Sequence, residues 1–575
     1  MPELFVELFS EEIPARMQEA AASALVRSMA EALAALKPRD ARSWWGPRRI
    51  AAAFAVEPEV PGAEVAERGP REGAPEQALA GFLRKHGAAR EELASENGFH
   101  VLRRHTAAVG AAEAVARAMP DLLRRFPWPK AMRWGNGSGF TWVRPLRRIT
   151  CLLDGAVVPF ALSDGNDDGH GLRSGNETEG HRFLAPGAIA LRGAEQWRDA
   201  LRQNFVIADA GERRAVVERD LDAAAAAEAM AVVPDAGLLD EVAGLVEWPV
   251  VLLGRIDDAF MDLPPEVMQV SMRVNQRYFA LRRADGTAAP RFGFAANVVP
   301  RDDGATIVSG NERVLRARFS DARHFWDLDR KVRLADRLGA LDGVIFHARL
   351  GSQGARARRI AVLARTVAGL IGADPAAAER AGLLCKADLS TGMVGEFPEL
   401  QGVMGGYYAA HDGEAPAVAR AIGQHYAPRG PADPVPTDPV AAAVAIADKA
   451  DALAGFFAIG EKPGGSGDPY ALRRAALGII RILRENALRL DLGALFAAAA
   501  SGYGDGGGAV AAAVADAPSA AGAEADAVPG FVLERLRVML RTEGARHDVL
   551  AAVMATGQDR DVVRLLARTA AVAGT

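Results

Sequence analysis

Cysteine is nearly absent from this chain: Cys151 and Cys385 are the only two in 575 residues. A pair so far apart excludes a disulfide framework and a cysteine-rich zinc site, and fits a reducing cytoplasm. Long apolar runs are missing too. No stretch approaches the ~20 residues that span a bilayer, and the alanine tract Ala223 to Ala227 is short and flanked by charge. Leu4-Phe5-Val6-Glu7-Leu8 meets acidic residues at once, without the basic start and long apolar stretch of an export leader. There is no excess of positive charge, since the formal net charge is −5. Any nucleic-acid site must therefore come from local clustering of arginine. Three catalytic signatures are lacking as well: a Walker loop, a Gly-x-Ser-x-Gly elbow and a His-Glu-x-x-His zinc helix.

What is present is enough apolar residue, 50%, to pack three to five domains at a prior of ~100–200 residues each. Leu4 to Leu8 reads as a strand, followed by a helix capped at Ser10, with Glu11 and Glu12 in its first turn, that continues through Leu36. Trp44 and Trp45 read as core or interface residues before a second strand, Ala51 to Val56. Pro58 to Pro75 reads as a loop. A helix over 75–86, a strand over 99–104 and a helix over 111–126 follow. Phe140 to Pro145 and Ile149 to Leu153 are strand-like, the latter ending at the Asp154-Gly155 turn. A polar glycine-rich loop covers 165–180. Arg133, Arg144, Arg147, Arg148, His181 and Arg182 suit either phosphate binding or a rim of ion pairs.

Further on, Trp248 to Leu253 is a buried-strand run that Gly254 ends, and Asp285-Gly286 is a hairpin signal followed by a basic helix. Between Arg313 and Arg365 there are 13 Lys and Arg against 5 Asp. Such a region suits an RNA backbone, an acidic partner or a merely solvated face. The pattern is then helical: 358–371, 375–389, 400–410, 415–426 and 439–457. Asp468-Pro469 reads as a cap with Pro at the first helical position. In the helix that follows, with Arg473 at zero, Arg484 falls at about 20°, Arg481 at about 80° and Arg474 at about 100°, with Leu472, Ile479, Ile482 and Leu483 opposite. Four arginines on one face favour an anionic counterpart, either RNA phosphate or a neighbouring helix's carboxylates. Ser501 to Gly530, with Gly506-Gly507-Gly508, reads as a mobile connector, and Phe531 to Arg541 resumes as helix, with Arg537 and Arg541 one turn apart.

Several long phrases carry a resemblance: FVELFSEEIP, MRWGNGSGFTWVRPLR, EGHRF, EVAGLVEWPVVLLG, GDPYALRRAALGIIRIL and LERLRVMLRTEGARHDVL. In this order, from residue 4 to about 550, they resemble the β subunit of the tetrameric bacterial glycyl-tRNA synthetase. The resemblance implies a multi-domain α+β chain. Residues 1–340 form a mixed α/β body, part of it like the editing-domain fold of the phenylalanyl-tRNA synthetase β subunit. Residues 341–500 form an all-α domain similar to the HD phosphohydrolases. Residues 501–575 hold a linker and the N-terminal part of an anticodon-binding helical bundle, incomplete here. Asp388 and Asp448 match metal-binding positions of the HD fold, but Ala387 stands where its dyad has histidine, and His411-Asp412 falls at a helix end. A divalent ion needs its whole ligand set, so this domain reads as a scaffold without metal, its aspartates paired with lysines such as Lys386 and Lys449.

Neither class I signature, His-Ile-Gly-His or Lys-Met-Ser-Lys-Ser, occurs, nor the class II glycine-rich phrase ending in Glu-Arg. The resemblance explains this: the family's α subunit carries the active site, using ATP and Mg, and the β subunit supplies tRNA recognition. It implies a cytoplasmic, non-catalytic subunit of an α2β2 glycine-tRNA ligase that binds no cofactor itself, makes no membrane contact and positions tRNA(Gly) for the α subunit. The RNA-contact candidates are Arg473, Arg474, Arg481, Arg484, Arg537 and Arg541. The alternatives are an HD-type metal-dependent phosphohydrolase and a scaffold that binds the α subunit without RNA.

Overall fold

The computed structural model describes residues 1–573 apart from 106, 136, 466, 505–519 and 555–558. Of the connector expected over Ser501 to Gly530, residues 505–519 lie outside the described residues, and 520–530 are corrected to helix, as the start of Ala520–Thr542. The chain is mixed α+β and about half helical. It forms two compact units, residues 1–261 with 272–315, and residues 262–271 with 316–575.

The first unit is built on β1 (Glu3–Ser10), which lies at the centre of an antiparallel sheet with β2 (Arg39–Gly46), β3 (Arg49–Ala55), β4 (Leu146–Leu153) and β5 (Ala156–Val157), in the order β5-β4-β1-β3-β2. Successive side chains of a strand point to opposite faces. Leu4, Val6 and Leu8 therefore enter one core with Leu25 and Met29 of α1 (Ala15–Ala32) and Val115 and Met119 of α2 (Ala111–Arg124). Phe5 enters another, with Trp44, Leu152 and Trp197. Coverage on both faces explains why β1 reads as a continuous apolar run.

Four local readings are corrected. Ser10 does not cap a helix: it is still in β1, and the donors that follow are taken by Arg48 O (Ser10 N, 2.8 Å) and Pro145 O (Glu11 N, 3.0 Å). The helix therefore waits until Pro14, and Glu11 pairs with Arg182 instead. The segment 58–75 is not all loop, because Glu64–Arg71 pairs antiparallel with Phe99–His105. Its own composition carries no strand signal; the partner imposes it. Phe140 to Pro145 makes only an isolated bridge, Met132 to Trp142, with Trp142 fully buried. Nor does Gly254 end its strand.

A second sheet holds β6 (Met230–Val232), β7 (Val250–Arg255), β8 (Phe279–Arg283) and β9 (Ala288–Ala296), in the order β6-β8-β9-β7. Gly254 sits inside β7 opposite Phe292, and a Cβ there would lie 2.3 Å from the ring. It is a packing glycine, making room for an aromatic. The Asp285-Gly286 hairpin forms between β8 and β9 as expected, with Gly286 at φ +83°. The basic helix beyond it is Ala305–Asp329.

The second unit is helical from α3 (Gln353–Ile371) onward, through α4 (Pro375–Leu384), α5 (Val403–His411), α6 (Pro416–Gln424), α7 (Pro439–Ala458), α8 (Leu472–Glu485) and α9 (Ala520–Thr542). Each helix expected between 358 and 457 is present to within a few residues. Helix α7 is buried along nearly its whole length. Its alanine, valine and isoleucine occupy every face, so neighbours can pack all round it. The carboxylate of Asp438 caps its first turn, and Pro439 stands at the first helical position.

Candidate nucleic-acid interface

Helix α8 carries the arginine face. Leu472, Ile479, Ile482 and Leu483 are buried, as the 3.6-residue period requires. Asp468 does cap it, its carboxylate accepting the N–H groups of Leu472 (2.8 Å) and Arg473 (3.0 Å). Pro469 is not the first helical residue, however. Ala471 at φ 56° intervenes, and the helix begins at Leu472.

Arg474, Arg481 and Arg484 line a groove of about 550 Å³, together with Arg429 on the loop 428–431 and with Met539 and Glu543. Its walls carry four arginines against Glu485 and Glu543, a surplus of two positive charges. The other three candidates fall outside this lining. Arg473 donates to Gly465 O at 2.7 Å, Arg537 pairs with Glu534 at 3.2 Å, and Arg541 is exposed.

The face is not free of acid. Arg481 pairs with Glu485 at 2.8 Å and donates to Gly430 O (3.0 Å) and Asp433 O (2.8 Å). One Arg484 nitrogen lies 2.8 and 2.9 Å from the two oxygens of Glu543. Arg474 is exposed and has no carboxylate partner among the described residues. Arg429 was not singled out in the sequence, where it stands alone beside a proline. It donates to Glu399 O (3.1 Å) and Gln401 O (2.7 Å).

Behind the groove lies a buried charge cluster that the sequence signals only as charges inside apolar helices. Lys386 Nζ is 2.8 Å from Asp448 Oδ1 and 2.9 Å from His425 Nε2, above the Tyr426 ring. Arg356 joins Asp448 at 3.0 Å, and Arg359 joins Asp451 at 2.7 Å. Burial works to raise the carboxyl of Asp448, but Lys386 and Arg356 hold it well below the usual range. Burial and then the Lys386 charge push His425 far down, keeping it neutral. Its Nδ1 lies 2.7 Å from Ile422 O, so Nδ1–H donates there and Nε2 is left to accept from Lys386.

Of the expected aspartate–lysine pairings, that of Asp448 is present and that of Asp388 is not. Lys386 goes to Asp448, while Asp388 pairs with no lysine: its Oδ2 accepts the N–H groups of Gly402 (2.6 Å) and Gly405 (2.9 Å). Asp412 accepts Leu334 N at 2.6 Å. Asp448, Asp412 and the Oδ2 of Asp388 are thus engaged, and among the described residues no group of three His, Cys, Asp or Glu is placed to hold a metal ion.

Burial raises Asp388 to about 6, against the two glycine N–H groups that lower it. A pKa above the unfolded value means stability that is present below about pH 4 and lost as pH rises through 6. Asp388→Asn is therefore expected to stabilise the chain at pH 7.5 by on the order of 1–3 kcal/mol. The gain should vanish near pH 4, and melting curves across that range check it.

In the first unit three of the six basic candidates, Arg147, Arg148 and Arg182, form ion pairs. Arg148 pairs with Glu177 (2.8 Å) and Glu179 (3.0 Å), Arg182 with Glu11 (2.6 Å) and Glu12 (2.9 Å), and Arg147 with Glu11 (3.7 Å). Arg144 donates to Val143 O, buried His181 accepts the N–H groups of Phe183 and Leu184, and Arg133 is exposed. Arg49 is buried between Glu7 (3.1 Å) and Glu247 (3.0 Å). In the stretch 313–365, Arg323, Arg330, Arg337, Arg356, Arg358, Arg359 and Arg365 all have carboxylate partners, so much of that surplus is answered internally. No helix of the described residues is long and apolar enough to cross a membrane.

Residues 4–555 match the family model described as glycyl-tRNA synthetase beta subunit. The glycine–tRNA ligase beta subunit of Phenylobacterium zucineum is 49% identical, over 99% of this chain and 81% of the relative. Those of Paracoccus denitrificans and Rhodospirillum centenum are 45% and 46% identical, over 100% of this chain and 82% of each relative. By this agreement along nearly its whole length, the chain belongs to the glycyl-tRNA synthetase beta subunit family, a family of aminoacyl-tRNA synthetase subunits.

Proposed function

We propose that this chain holds tRNA(Gly) by phosphate contacts in the arginine groove of α8 and presents its acceptor end to a catalytic α subunit in the cytoplasm. The observation that carries this is a groove with a surplus of two positive charges on a chain whose net charge is −5. Local charge of this kind steers an RNA backbone without attracting it to the rest of the surface. Phosphate contacts fix register and orientation rather than sequence. Their catalytic contribution is to hold the acceptor end where attack occurs, turning an encounter into a positioned reaction. ATP and Mg act at the α subunit in this reading, and this chain binds neither. The helical region 341–500 is then an HD-like scaffold, with Lys386, Asp448 and Asp388 engaged in holding helices together. A metal-dependent phosphohydrolase finds no support in that donor set.

The test is binding of tRNA(Gly) by this chain alone as salt is raised. Two to three groove phosphates give a slope of log K against log salt of roughly −2 to −3. A slope near zero, or no binding at low salt, would favour a scaffold that meets the α subunit without RNA.

A further inference from the structure

Two walls of the groove meet at one buried side chain. The loop 428–431 forms one and α8 the other, with Met539 and Glu543 of α9 on a further side. Lys449, on α7, reaches between them. Its Nζ donates to the carbonyls of His425 (3.3 Å), Tyr426 (3.2 Å) and Ala427 (2.8 Å), immediately before the loop residues that line the groove. Its stem passes α8 at Gly478, where a Cβ would lie 2.7 Å from Lys449 Cε and 3.0 Å from Cδ. Gly478 is itself a lining residue, one turn from Arg474 and Arg481. Any side chain at 478 would push the lysine or the helix away.

The three N–H bonds of one ammonium are spent on three successive carbonyls, which is all such a group can offer. Lys449 is 7% exposed, so it is not itself a phosphate contact. Resting on the reading that the groove binds RNA, we propose that Lys449 is a positioning residue for that groove. It fixes the distance between Arg429 on the loop and Arg474 and Arg484 on the helix, so that phosphates find the arginines already spaced.

The charges around this strut are Asp448 on its own helix, Lys386, Arg429 and Arg356, with His425 and Tyr426 beside it. Lys386, Tyr426 and Arg356 are held above their usual values, and Asp448 and His425 below. Lys449 itself is brought down to about 8, chiefly by burial. Deprotonation leaves an amine with two N–H groups for three carbonyls, so the loop loses a tether between pH 7 and 9.

The experiment measures tRNA(Gly) affinity of the full chain at fixed salt for Lys449→Ala, Gly478→Ala, the double variant and Arg474→Gln, each checked for folding by circular dichroism. Lys449→Ala and Gly478→Ala are each expected to weaken binding by about 5- to 10-fold, and the double variant to fall within about threefold of the weaker single one, because the two act on one contact. Gly478→Ala keeps every charge, so it still decides the question should Lys449→Ala not fold. Wild-type affinity should decline as pH passes 8, and that decline should disappear in Lys449→Ala. If Arg474→Gln weakens binding while both alanine variants leave it and its pH profile unchanged, the strut is wrong and the groove stands. If Arg474→Gln has no effect either, the groove reading itself fails.

Discussion

Replacing Arg474, Arg481 and Arg484 together by glutamine is expected to weaken tRNA(Gly) binding by on the order of 100-fold near 0.1 M salt and to flatten the salt slope by roughly two. The three contribute differently. Arg474 is exposed and without a carboxylate partner among the described residues, so its loss removes one phosphate contact and little else. Arg481 also holds Gly430 O and Asp433 O, so its loss loosens the loop that carries Arg429. Arg484 neutralises Glu543 across the groove, and its loss leaves a carboxylate facing the RNA. The single substitutions should therefore rank with Arg474→Gln mildest. Glu543→Gln should tighten binding by freeing Arg484. Unchanged affinity in the triple variant, with folding intact, would place the RNA elsewhere.

The largest expected stability effect lies in the first unit. Arg49→Met should lower stability by about 3–5 kcal/mol, the usual result when one member of a buried ion pair is removed. Arg49 is 2% exposed and donates to Glu7, Glu247, Thr178 Oγ1 and Glu179 O. Without it, two carboxylates of almost no exposure lose their cation. Trp197 Nε1 still donates to Glu7 at 2.9 Å, which softens but does not cancel the loss. Adding Glu7→Gln and Glu247→Gln should recover part of it, because the remaining penalty is that of unpaired charge. Urea denaturation of the single and triple variants measures this, and a cost under about 1 kcal/mol would show that water reaches the cluster.

These two sites differ in how far the sequence discloses them. The helical period of Leu472, Ile479, Ile482 and Leu483 places the arginine face directly, because the core decides which side turns outward. It does not disclose Glu543, which closes on Arg484 from 59 residues away. Nor does it show that Gly478 is vacant for the sake of a lysine on another helix. Charges inside apolar runs, Lys386 in Leu-Leu-Cys-Lys and Lys449 in Ala-Asp-Lys-Ala, signal burial, but only tertiary packing assigns the partner. The same holds in the sheet. The strand β1 is legible from its apolar run, whereas Ser10 and the segment 64–71 take their conformation from donors and acceptors on distant strands. Local pattern sets the element, and long-range pairing sets where it ends.

The proposed division of work, in which this chain grips RNA while another polypeptide activates glycine, is tested most directly by assaying glycyl-adenylate and glycyl-tRNA with this chain alone, the α subunit alone and both together. The account predicts glycyl-adenylate only where the α subunit is present, efficient glycyl-tRNA only in the mixture, and loss of the latter in the Arg474, Arg481 and Arg484 variant. Formation of glycyl-adenylate by the purified chain alone would contradict it.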